Sequence, residues 1–208
     1  MVPSMEQLSE LAGIAARYEV PIISDEVFNE FLFNETVLPR PAFTEAPLVF
    51  TLNGFSKMFA LPGMKIGWIG VSGDEHLVNK SLAALELISD TFLPVNEIAQ
   101  FAVPEIFARG QSFLSKYKAQ IADCRNLAVH CLAGCNFTPP AGGFYVTLSL
   151  SKDEEQVALS LLRDEQILVH PGYFYDITPH HLVMTFIQSP QNLRRAFTAI
   201  AELSRAHE

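Results

Sequence analysis

The chain has 208 residues, of which 49% are hydrophobic and 18% charged, a composition that builds a packed core and not a disordered chain. A formal net charge of -9 and a sequence pI of about 5.1 argue against a nucleic-acid binder, which needs a basic footprint, and against attraction to an anionic membrane surface. No run of about 18 apolar residues predicts a membrane span, and Met1–Gln7 lacks the basic and apolar regions of a signal peptide, so a cytoplasmic location is expected.

Residues 4–18 read as a helix with Ser4 as N-cap and Leu8, Leu11, Ile14 and Ala15 on one face. Val20-Pro21-Ile22-Ile23-Ser24 is a short apolar run of the kind that forms a buried strand in a parallel sheet. Leu48–Leu52 and Ile66–Val71 are two more such runs, with helical patterns following at 74–89, 95–108 and 111–133. Strands spaced by helical or loop segments predict an α/β layer architecture. Three strands make a thin sheet with edges to cover. Together with a mean hydropathy of +0.21, this predicts that surface is buried against a second subunit or a further N-terminal segment.

The pattern changes near residue 135. Pro139-Pro140-Ala141-Gly142-Gly143 is a turn cluster, Phe144–Leu150 a strand, 152–164 a helix, Ile167–His170 and Leu182–Ile187 strands, and 190–205 a helix with Pro190 in its first turn. This is a smaller α+β unit, joined to the first part by the long helix at 111–133. Cys124, Cys131 and Cys135 are an odd count without zinc spacing, so structural thiols are expected and no metal site.

The stretch from Asn53 to Trp68, NGFSKMFALPGMKIGW, is the most informative. Lys57 follows a buried strand in a segment punctuated by glycine and proline. A desolvated lysine amine can lose its proton and attack a carbonyl to form a Schiff base. Ser56 offers a hydroxyl and Lys65 a second cation for a phosphate. On the residues alone, an exposed loop lysine remains an equal alternative. Asp25, in Ile22-Ile23-Ser24-Asp25-Glu26-Val27-Phe28, is a carboxylate at the C-terminal end of a strand, where α/β sheets place their ligands, or else a helix N-cap.

The 53–68 stretch resembles the attachment signature of class I/II aminotransferases, fold-type-I enzymes dependent on pyridoxal 5'-phosphate (PLP). Ser24-Asp25-Glu26-Val27-Phe28 resembles that family's strand-end motif, and Pro140–Tyr145 and Val169–Phe174 resemble its Pro-x-Gly-Gly and Val-x-Pro-Gly segments. The resemblance implies the C-terminal part of a PLP-binding large domain at 1–110, with a mostly parallel sheet, and a linking helix and small α+β domain at 111–208. It implies Lys57 as the Schiff-base lysine and acid/base, Asp25 on the pyridine nitrogen, and Ser56 and Lys65 on the phosphate. Three positions depart from the family pattern. Phe28 stands where a tyrosine binds the cofactor's 3-oxygen, Lys65 stands for the usual phosphate arginine, and Val183 stands for the arginine that clamps the substrate carboxylate. His180 and His181 are candidate replacements for that clamp or else surface histidines. The glycine-containing phosphate loop, the ring-stacking aromatic and the asparagine on the 3-oxygen cannot be assigned in this chain. The implied function is amino transfer between an amino acid and a 2-oxo acid in a homodimer. The alternatives are another PLP reaction, such as C–S lysis or decarboxylation, and an inactive fragment or degenerate homologue.

Overall fold

The computed structural model describes residues 2–33 and 39–205, and the chain divides into two compact units, 1–116 and 117–208. In the first unit, helix α1 (Met5–Tyr18) begins at a capping box, in which the Ser4 hydroxyl accepts from the Gln7 N–H and the Gln7 side chain accepts from the Ser4 N–H. It ends on Glu19 in the left-handed region. Its buried residues are Leu8, Ala12 and Ala15, whereas Leu11 and Ile14 are 43% and 44% exposed, so the apolar face is narrower than the expected one. Ala12 and Ala15 pack with Ile22, Ala46 and Val49 under a sheet whose strands are β1 (Ile22–Asp25), β2 (Leu48–Gly54) and β3 (Gly67–Gly73), in that order.

β1 and β2 run parallel, with Asp25 opposite Leu52. β3 does not continue this pattern. It pairs antiparallel with β2 from Leu48↔Gly73 to Gly54↔Gly67, so the expectation of a third buried parallel strand is corrected. The intervening residues 55–66 form only the one-turn helix α2 (Phe55–Met58) and a 3-10 turn at Pro62–Met64, too little to carry a parallel crossover over the sheet face. No residue of β3 is fully buried.

Helix α3 (Glu75–Phe92) starts at Asp74, whose carboxylate accepts from the His76 and Leu77 N–H groups at 3.0 and 3.1 Å. The pattern at 95–108 resolves into two helices, α4 (Glu97–Phe101) and α5 (Val103–Arg109), with Pro104 in the first turn of the second. The boundary between the units falls within α6 (Gln111–Cys131).

The second unit holds an antiparallel sheet of β4 (Tyr145–Ser149), β6 (His181–Thr185) and β5 (His170–Pro171), with β6 central. The expected strand at Ile167–His170 enters the ladder only at His170 and Pro171. Ile167 and Val169 are buried all the same, as side chains of an extended segment outside the ladder. Helices α7 (Glu154–Glu165) and α8 (Pro190–Arg205) complete the unit, and Leu148, Leu161, Leu182, Phe186 and Phe197 are almost wholly buried. All three cysteines are free. Burial pushes the Cys124 thiol above its ordinary value, as expected of a structural thiol. Among the described residues no group of side chains could hold a metal ion, and no helix is long and apolar enough to cross a membrane.

Candidate active site

β1 and β2 are parallel neighbours, so their C-terminal ends share one edge of the sheet, the edge at which α/β sheets bind ligands. β1 leaves that edge at Asp25. The Glu26 N–H adds one more ladder bond, to the Leu52 carbonyl at 2.8 Å, and the chain then turns. The Asn29 N–H bonds the Glu26 carbonyl at 3.1 Å and the Phe31 N–H the Phe28 carbonyl at 2.9 Å. One Asp25 oxygen accepts from the Val27 N–H at 3.2 Å, so the carboxylate supports this turn and does not cap a helix. Asp25 is exposed and Phe28 half-buried.

β2 reaches the same edge at Gly54 and passes straight into α2. In one helical turn, positions 55, 58 and 59 share a face. Phe55, Met58 and Phe59 are buried there with Ile66 and Leu114. The Phe55 ring meets those of Phe59, Trp68 and Phe107 edge-on, with centroids 5.3, 5.7 and 5.2 Å away. Anchoring that face turns Ser56 and Lys57 outward. Ser56 is exposed and Lys57 half-buried, its Nζ 5.7 Å from the centroid of the Phe28 ring, within cation–π range. The fold therefore brings Lys57 onto the turn that Asp25 opens. Gly54 makes this delivery possible, because a Cβ there would lie 2.7 Å from the Ile66 carbonyl oxygen, which accepts from the Phe55 N–H at 3.1 Å.

Lys65 lies at the end of the 3-10 turn, left-handed at φ 55° and exposed. In the second unit, Val183 is buried in β6 between Thr147 and His170, its place taken up by core packing. His180 precedes β6, left-handed at φ 68°, and His181 is the first residue of the strand. The His180 N–H donates to the buried Glu154 carboxylate at 2.7 Å, and His181 Nε2 lies 3.0 Å from Ser149 Oγ.

Sequence reasoning passed over Glu26. It is only 5% exposed, and its carboxylate accepts from Ser24 Oγ at 3.2 Å and from Asn29 Nδ2. Arg40 Nε lies 3.1 Å from the same carboxylate. Two adjacent acids after a strand were visible in the sequence, but nothing local announces a partner across the intervening loop.

These features define a mixed α/β chain with a lysine and a carboxylate at one sheet edge. A family profile, "Aminotransferase class I and II", matches residues 1–200, and the chain belongs to this family of PLP-dependent enzymes. It is similar to the alanine aminotransferase of Mycobacterium tuberculosis (strain ATCC 25618 / H37Rv), 24% identical over 94% of this chain and 48% of that protein. It is also similar to the uncharacterized HTH-type transcriptional regulator YisV of Bacillus subtilis (strain 168), 30% identical over 84% of this chain and 37% of that protein. Among solved structures, the alanine aminotransferase from Pyrococcus furiosus superposes with a TM-score of 0.87 at 23% identity, over 98% of this chain and 54% of the other. The fold that the sequence resemblance implied is the fold found. The chain spans about half the length of the curated relatives it matches.

Proposed function

We propose that this chain carries the cofactor lysine of a PLP-dependent aminotransferase that moves an amino group between an amino acid and a 2-oxo acid. The observation that carries the reading is the Lys57 amine lying over Phe28, on the turn opened by Asp25, at the shared end of two parallel strands. The donor set suits the cofactor. A primary amine can bind its aldehyde, a strand-end carboxylate can pair with a ring nitrogen, and Ser56 and Lys65 offer a hydroxyl and a cation to a phosphate. When bound, PLP supplies an aldehyde carbon for an amine and a ring that takes up electrons from the bond being broken. Asp25 would pair with the ring nitrogen, its carboxylate keeping a proton there. Lys57 Nζ would be the point of attachment and would take and return a proton as general base and acid. Lys65 serves as a point charge, without the bidentate fork of arginine. Phe28 has no hydroxyl and would give the cofactor's 3-oxygen no hydrogen bond where the family's tyrosine donates one.

The carboxylate clamp is the open part of this reading. With valine at position 183, substrate orientation falls to other groups, which admits other PLP reactions such as C–S lysis or decarboxylation. The likeness to YisV supports a second reading, in which the same cofactor-binding unit serves a regulator. We further propose a homodimer in the cytoplasm, following the family pattern.

The test is the visible spectrum with added PLP. The expected result is an absorption band in the wild type that is absent in Lys57→Ala. Turnover of an amino acid with a 2-oxo acid then separates the enzyme from the regulator. No band in either protein would leave the chain as an inactive homologue or fragment.

A further inference from the structure

The buried charged side chain beside the candidate site is one to which the proposed function gives no task. Glu26 is buried at 5% exposure, one residue after Asp25 and two before Phe28. Its backbone N–H is the last ladder bond to β2, and its backbone carbonyl accepts the Asn29 N–H. Its carboxylate accepts from Ser24 and Asn29. The remaining contact is the Arg40 guanidinium at 3.1 Å, an ion contact without hydrogen-bond alignment. A buried carboxylate without a counter-charge is costly, and one with a counter-charge adds little net field to its neighbours.

We propose that Glu26 and Arg40 form a positioning pair. Held by Ser24 and Asn29 and neutralised by Arg40, Glu26 fixes the turn that carries Asp25 and Phe28, and its charge is kept from adding to that of Asp25. The argument is electrostatic as well as steric. Two adjacent ionised carboxylates would each favour protonation of the other and would together draw a proton onto any nearby amine. Among the described residues, the charged groups on the elements around Glu26 are Asp25 and Glu30 on the same turn, Arg40 just before the 3-10 turn at Pro41–Phe43, and Lys57 just after β2. Pairing Glu26 with Arg40 takes the buried carboxylate next to Asp25 out of competition for the ring nitrogen, a role of Asp25 that rests on the PLP reading.

The two halves of the pair make opposite predictions, which a purely structural role does not. The readout is the pH midpoint of Lys57 labelling by trinitrobenzenesulfonate, followed by peptide mass spectrometry without cofactor. In Arg40→Met the uncompensated Glu26 favours the ammonium form, so the midpoint rises. In Glu26→Gln the uncompensated Arg40 disfavours it, and the midpoint falls. The double variant returns close to wild type, and Arg40→Lys stays there. If Glu26→Gln does not fold, as judged by circular dichroism, the comparison of Arg40→Lys with Arg40→Met decides. Shifts of the same sign in the two folded single variants, or no shift in Arg40→Met, overturn the proposal. The same variants with PLP added should move the pH titration of the bound-cofactor band in the same directions. If wild type gives no lysine-dependent band, the cofactor reading fails while the amine titration still decides the role of the pair.

Discussion

The two units handle apolar surface in opposite ways. In the second, β6 buries Leu182, Val183 and Met184 in five residues, and the twelve-residue α7 buries Val157 and Leu161. In the first, the eighteen-residue α3 has no buried residue and β3 has none either. Apolar side chains around α3 and α4 stand in the open, with Phe92, Ile98 and Phe101 at 78%, 83% and 90% exposure. The buried residues of the first unit fall in two small clusters, one around Phe55 behind Lys57 and one of Ala12, Ala15, Ile22, Ala46 and Val49 beside β1 and β2. The lesson is that a candidate site can be firmly built inside a unit that is otherwise thinly covered. The second unit buries the middle of its sheet while leaving Leu168 and Phe174 74% and 59% exposed, whereas the first is an anchored sheet edge with much of its remaining apolar surface uncovered.

Core truncation in the second unit should have the largest effect. Leu182 is fully buried at the centre of the sheet, so Leu182→Ala is expected to lower the unfolding free energy by about 2–5 kcal/mol in urea denaturation. A cost near zero would mean that this core is not packed as described. Next comes Gly54→Ala, where the added Cβ must push against the Ile66 carbonyl at 2.7 Å. The expected cost is about 1–3 kcal/mol by overpacking. It should come with weaker PLP binding, because the same bond registers α2 and hence Lys57. A variant that loses neither stability nor cofactor affinity would show that the strand end tolerates a shift and that the lysine is not held by this contact.

Much of this was legible in the sequence where the signal is local. Ser4 announces its helix because a cap satisfies an N–H group only three residues away. Lys57 stands out because it follows an apolar strand in a segment punctuated by glycine and proline, but only the family resemblance favours it over an exposed loop lysine. The direction of β3 was not legible, since an apolar run reads alike in parallel and antiparallel pairing and only the intervening chain decides. Ile167–Val169 was read as strand for its side chains, which are buried as expected, but ladder bonds depend on a neighbour that the local sequence does not specify. The face of α1 was read too broadly because residues 11 and 14 are as apolar as those that pack. The Glu26–Arg40 pair was missed for the same reason as β3: it depends on how the chain returns, not on any spacing.

The smallest expected effect sharpens the contrast between the units most. Leu87 in α3 is 69% exposed, and its replacement by serine removes apolar surface that already faces water. Surface changes of this kind usually stay within about ±0.5 kcal/mol. Leu87→Ser should therefore leave the urea midpoint nearly unchanged, against the several kcal/mol expected for Leu182→Ala, with solubility as good or better. A loss of about 2 kcal/mol or more would require that Leu87 be buried in solution, because only burial gives a leucine side chain that much to lose. In that event the open character of the first unit would belong to the isolated chain alone, and the apolar residues of α3 and α4 would count as core.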